Sequence, residues 1–122
     1  MLSTLFVRGR HAFLSTLVST QKLRLVSPTI RVNAQFLLVW RLRNRLELQS
    51  LLEELSAVCG INALEEMYDM ATSDPFSFWY LPLTAKRKED TFFLRFEQKM
   101  HMLYRWARRT PLHLLPAECL ER

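Results

Sequence analysis

Two arginines and one glutamine in the first third of the chain have the types and spacing to work on phosphate. Ser19-Thr20-Gln21 ends an apolar run, and Arg10 and Arg31 lie on either side of it. A glutamine at the carboxyl edge of a buried strand can hold a water or a phosphate oxygen through its amide. It can equally cap its own loop. An arginine offered to a neighbouring subunit's phosphates presents a planar fork of donors to developing charge. It can equally pair with a carboxylate. At the level of single residues, both readings of each stand.

Other chemistries find less in the sequence. A G-x-x-x-x-G-K-[ST] loop is impossible with glycine only at Gly9 and Gly60, and neither H-E-x-x-H nor G-x-S-x-G occurs. His11, His101 and His113 are scattered, and the acidic residues between 47 and 66 fall on predicted helix surfaces, where solvated faces are the ordinary outcome. Cys59 and Cys119 are far apart and lack a CxxC neighbour. That pattern argues against a disulfide framework or zinc ribbon and for a reduced intracellular protein.

Charge is distributed unevenly. Residues 1–46 carry eight Lys or Arg and no Asp or Glu, whereas residues 47–122 hold nine against twelve. A basic N-terminal part suits a polyanion, either nucleic acid or nucleotide phosphate. An Arg-rich, acid-free leader for mitochondrial import has the same composition, although the β-branched Ser15–Thr20 stretch disfavours an amphipathic helix. The longest apolar run, Phe36–Trp40, is strand-sized, so no membrane span is expected. With 122 residues and about half of them apolar, one folded domain is the natural size.

These residues need elements to hold them. An extended stretch is predicted over 12–20. Ser27 and Pro28 then open a short helical turn, and a covered central strand follows over 35–42. Asn44 with Glu47 has capping-box spacing ahead of the Leu48, Leu51, Leu52, Leu55 stripe, with Gly60 as the stop. Asn62 with Glu65 repeats that spacing ahead of Leu64, Met67, Tyr68 and Ala71. A third strand is predicted over Ser77–Leu81, ended at an edge by Pro82. A long helix is predicted over Asp90–Arg108, with Phe92, Phe93, Phe96, Met100, Leu103, Tyr104 and Ala107 on one face. The order points to an α/β layered fold of about three strands with flanking helices. With so few strands, one hydrophobic sheet face is expected to lack a cover within the chain.

The motifs Gly9-Arg10-His11, Thr20-Gln21, Pro28 and Arg31-Val32-Asn33 stand in an order that resembles the genome-packaging ATPases of nucleocytoplasmic large DNA viruses. These belong to the FtsK–HerA group of P-loop translocases. The resemblance spans roughly residues 5–100 and falls on the C-terminal half of the ATPase core. It implies a partial P-loop (RecA/ASCE-like) layered fold over residues 1–110, with an irregular tail at 111–122. It also implies Gln21 as the sensor beside the γ-phosphate and either Arg10 or Arg31 as an arginine finger. Thr20, His11 and Asn33 would lie near the nucleotide.

ATP and Mg²⁺ are the cofactors implied for a complete family member. The Walker A and Walker B residues are not in this sequence, so the expectation is a truncated or split product, inactive alone and needing no cofactor by itself. The implied partners are double-stranded DNA and either a homo-oligomeric ring or a complementary P-loop chain, with no membrane. The implied location is cytoplasm, nucleus or virion. The rival readings are a non-enzymatic nucleic-acid module, in which Arg41, Arg43 and Arg45 track a phosphate backbone, and an imported mitochondrial protein.

Overall fold

Residues 1–100 are described by a computed structural model of the chain. They form a mixed α/β fold with four α-helices: α1 (Leu2–Arg8), α2 (Pro28–Asn33), α3 (Arg45–Leu55) and α4 (Ile61–Ala71). The strands are β1 (Phe36–Val39), β2 (Trp79–Pro82), β3 (Phe93–Leu94) and β4 (Gln98–Lys99), in one sheet ordered β1-β2-β3-β4. Every pairing is antiparallel.

The core lies between this sheet and the α3–α4 pair. Leu51, Leu52 and Leu55 from α3 and Leu64, Met67, Tyr68 and Ala71 from α4 meet Val39, Trp79, Leu81 and Phe92 from the sheet side. The leucine and Met/Tyr stripes read from periodicity are therefore the buried faces of these two helices. Trp79 is fully buried, stacked on Phe92 at 5.8 Å and edge-on to Tyr68 at 6.2 Å. Burying side chains of this kind stabilises by roughly 1.5–3 kcal/mol each.

The helix starts divide in their chemistry. Asn44 caps α3, its side chain accepting the Leu46 N–H at 2.9 Å. Glu47 does not close the expected capping box; its buried carboxylate accepts the Arg24 N–H at 3.3 Å. A carboxylate on α3 thereby anchors the N-terminal segment. Helix α3 ends at Leu55, and Gly60 is the N-cap of α4 rather than the stop of α3. Asn62 lies inside the first turn of α4 and does not cap it. At α2, Pro28 opens the helix as expected, while the Ser27 hydroxyl meets the Ser3 hydroxyl at 3.1 Å.

Further expectations fail. The covered central strand expected over 35–42 is the edge strand β1, Phe36–Val39, paired among the described residues with β2 alone. The stretch 12–20 is no strand: Ala12 closes a 3-10 turn, Phe13 sits at φ 56°, and residues 14–20 have no ladder partner. A lone apolar run has no second strand to satisfy its backbone, so β-propensity alone does not make it a strand. The expected helix from Asp90 is, up to residue 100, a 3-10 turn (Lys88–Thr91) and the β3–β4 hairpin. Phe92 and Leu94 pack inward and Phe93 pairs with Tyr80, a period of two that the bulky pair Phe92-Phe93 also satisfied. The hairpin turns through Arg95 at φ 53°. The remainder of that helix, residues 101–108, and the tail 111–122 lie outside the described residues.

Pro82 fits its place. Leu83 donates to Gln35, so alternate residues 79, 81 and 83 face β1 and Pro82 faces the other way. On that side the ladder to β3 has already ended at Tyr80–Phe93, and no N–H is needed.

At the hairpin base, Asp90 accepts a hydrogen bond from the Lys99 ammonium. That bond, with the nearby positive charge of Lys99 and Arg87, holds the Asp90 carboxyl below its ordinary range against a smaller opposing desolvation. A depressed carboxylate stabilises the fold above its unfolded pKa, and the contribution is lost as pH falls through the lowered folded value. An Asp90→Asn chain should therefore show a weaker acid-side fall in its thermal midpoint than the parent. In the core, Leu64→Ala should cost about 2–5 kcal/mol in urea unfolding, whereas Leu46→Ala, more than half exposed, should stay within about 0.5 kcal/mol.

Candidate functional site

The Gly9-Arg10-His11 motif forms a 3-10 turn directly after α1. Gly9 is buried and continues α1 at φ −56°, ψ −35°, so its backbone is one that any residue adopts. The Leu14 N–H returns to the Gly9 carbonyl at 2.9 Å, folding the next residues back over the turn. Arg10 and His11 project from it, exposed, and Arg10 has no carboxylate partner among the described residues.

Ser19-Thr20-Gln21 lies at the surface. The Thr20 hydroxyl accepts the Lys22 N–H at 3.1 Å and contacts the Lys22 carbonyl at 3.0 Å, making a local hydroxyl turn around Gln21. Gln21 is exposed. Because no strand precedes it and the sheet is antiparallel, the expected placement at the carboxyl edge of a parallel strand is corrected. Gln21 is presented by a turn.

Arg31 and Asn33 belong to α2. Arg31 is half-buried and paired with Glu54 of α3, while its Nε is buried without a partner among the described residues. Asn33 donates to the Thr29 carbonyl at 2.8 Å within its own helix. The two arginines that the sequence left equivalent thus differ: Arg31 ties α2 to α3, and Arg10 is uncommitted.

Arg41 and Arg43 follow β1, both exposed and without ion pairs among the described residues; Arg45 lies 3.6 Å from Glu65 with its side chain almost fully in solvent. The segment carrying them is pinned by the buried Tyr68, whose hydroxyl accepts the Leu42 N–H at 2.7 Å. Burial raises the Cys59 thiol above its ordinary value, which keeps it protonated and a poor nucleophile at neutral pH.

A shallow, open recess of about 370 Å³ lies beside α1 and α2, lined by Ser3, Thr4, Val7, Arg8 and Thr29. None of Arg10, Gln21 and Arg31 lines it. Among the described residues no three His, Cys, Asp or Glu side chains converge as a metal set, and no helix is long and apolar enough to cross a membrane. Arg10 and Gln21 are both exposed, and neither lines this recess, so among the described residues they do not by themselves form a site fitted to Mg-ATP.

The hydrophobic sheet face expected to lack a cover is present among the described residues, and its aromatic make-up is what sequence reasoning missed. On the sheet face opposite α3 and α4, Trp40, Phe78, Phe96, Tyr80, Phe36 and Phe93 form a continuous chain of ring contacts with centroids 5.0–6.3 Å apart. The alternation of 78 and 80 against the buried 79 and 81 was the available signal, obscured in β3 by the helical period assigned there.

The geometry at Gly9 makes a direct test of what its glycine is for. A Cβ there would meet Leu14 Cβ at 3.6 Å, an ordinary contact. Gly9→Ala should therefore raise stability by about 0.4–1 kcal/mol in urea unfolding; a loss of more than that would show that the turn needs glycine. No family model, no curated protein and no solved structure matches this chain.

Proposed function

We propose that this chain supplies the sensor and arginine groups of a genome-packaging-type P-loop ATPase core, the phosphate-holding half being carried by other polypeptide. The reading rests on the ordered Gly9-Arg10-His11, Thr20-Gln21 and Arg31-Val32-Asn33 motifs, and one structural observation supports it: among the described residues the sheet has a free edge at β1. Gln35, Leu37 and Val39 face β2, so the N–H and C=O groups of Phe36 and Leu38 point to the free side of β1. Among the described residues nothing pairs with them. Natural edge strands are commonly guarded by lysine, proline or a bulge; Phe-Leu-Leu-Val carries none of these. Leu14, Leu17 and Val18 are likewise exposed, in a Ser/Thr-rich stretch without a ladder partner among the described residues. Phe36–Val39 has the composition of an interior strand and the position of an edge, which supports a core completed by added strands.

Within that reading Arg10 is the arginine finger, because Arg31 is already neutralised by Glu54. Gln21 is the sensor, with Thr20, His11 and Asn33 beside the nucleotide. Double-stranded DNA is the substrate of the completed assembly, in a ring of copies or with a complementary P-loop chain.

Calorimetry should detect no Mg-ATP binding by this chain alone at tens of micromolar. Mixed with the P-loop half of a packaging ATPase of this group, it should stimulate ATP hydrolysis. Arg10→Ala should remove about 10³-fold or more of that stimulation, Gln21→Ala should lower it strongly, and Arg31→Ala should act mainly on stability. Turnover by the chain alone, or stimulation indifferent to both Arg10 and Gln21, would overturn the proposal.

A further inference from the structure

We infer that the open aromatic face of the β1–β4 sheet is a binding platform for single-stranded nucleic acid, with unpaired bases stacked on its rings and phosphates held by arginine and lysine at its two ends. Helices α3 and α4 cover the opposite face, and among the described residues no helix covers this one. Its rings are neither core nor isolated surface residues: Phe36, Trp40 and Phe96 are 41%, 51% and 63% exposed. Phe78, Tyr80 and Phe93 are half-buried beneath and between them. Edge-to-face contacts at 5.0–5.1 Å lock Phe96 against Phe78 and Tyr80, and Trp40 leans on Phe78 at 5.2 Å. The rings are therefore held in place before any ligand arrives, which lowers the ordering cost of stacking.

Charge complementarity selects the ligand. Trp40 runs directly into Arg41 and Arg43, exposed and without ion pairs among the described residues. At the opposite end, where Phe36 pairs with Pro82, β2 leads into exposed Lys86, Arg87 and Lys88. Asp90 is already taken by Lys99, so the remaining exposed carboxylates around the sheet, Asp74, Glu89 and Glu97, are outnumbered by these five cations. An apolar protein partner would meet this excess charge at both ends of the patch. A polyanion with flat, stackable bases satisfies the cations and the rings together, and stacking tolerates any sequence. A duplex keeps its bases stacked inside and offers the rings nothing. The platform does not depend on the packaging reading, because it uses neither Arg10 nor Gln21.

The test is fluorescence anisotropy of the full chain with a labelled 20-nucleotide oligo-dT and with a 20-base-pair duplex. Oligo-dT should bind more tightly than duplex and quench Trp40. Trp40→Leu and Phe96→Ser change exposed side chains; each should weaken oligo-dT binding about tenfold, with circular dichroism melts unchanged. Arg41→Gln with Arg43→Gln should lower the slope of log affinity against log salt by about 1.4. Oligo-dT binding that ignores both ring substitutions, duplex bound as tightly as oligo-dT, or no binding at low salt would each overturn the inference. So would a dimer in light scattering that Trp40→Leu dissolves, because the face would then belong to a second copy.

Discussion

The buried indole of Trp79 is the contact on which the rest of the arrangement depends. It stacks on Phe92, meets Tyr68 edge-on and pairs across strands with Val39 and Leu94. One side chain therefore joins β2 to α4, to its neighbours in the sheet and to the start of the hairpin. Tyr68 extends the same contact outward, its hydroxyl holding the Leu42 N–H and with it the start of the Arg41–Arg45 segment. Remove the indole, and the helices lose the surface that aligns them with the sheet. Its Nε1 is buried without a hydrogen-bond partner among the described residues, a cost that the packing on every side outweighs.

Because Trp79 and Leu81 turn inward, Phe78 and Tyr80 must turn outward, since a strand alternates its side chains between two faces. In an ordinary half-exposed antiparallel sheet those positions are polar. Here they are aromatic, and so are their neighbours Phe36, Phe93 and Phe96. The core is well formed on one side, and the other side keeps the composition of a second core. The free edge of β1 and the exposed Leu14, Leu17 and Val18 show the same mismatch between residue type and surroundings. The aromatic face and the free β1 edge thus carry interior chemistry on the exterior of the described residues.

The N-terminal third is attached to the core by polar contacts more than by packing. Glu47 accepts the Arg24 N–H, Arg31 pairs with Glu54, and Ile30 is the only buried large apolar side chain before β1. An acid-free segment is thereby held against the acidic residues of α3, and this uses Arg31 while leaving Arg10, Lys22, Arg41 and Arg43 for other partners. The uneven charge along the sequence thus has a structural role.

Helices α3 and α4 and strands β1 and β2 were legible because their signals are local. A leucine every three or four residues, an asparagine cap and a proline at a strand exit each act within one turn or one pairing. The basic turn, the threonine–glutamine end and the two candidate arginines were legible as residue types. What local pattern could not decide was anything requiring a second segment. Residues 12–20 had the composition of a strand, but a strand exists only where another strand accepts its hydrogen bonds. The region around 92–99 satisfied helical and two-residue periods alike, and it became a hairpin because β2 offered Phe93 and Leu94 a ladder. Likewise, Glu54 separated Arg31 from Arg10 only when α2 was laid beside α3. The sequence by itself determined which faces are apolar and where the charge lies. Only the tertiary structure decided which of those faces found a partner, because pairing and burial are properties of two segments and are written in neither one alone.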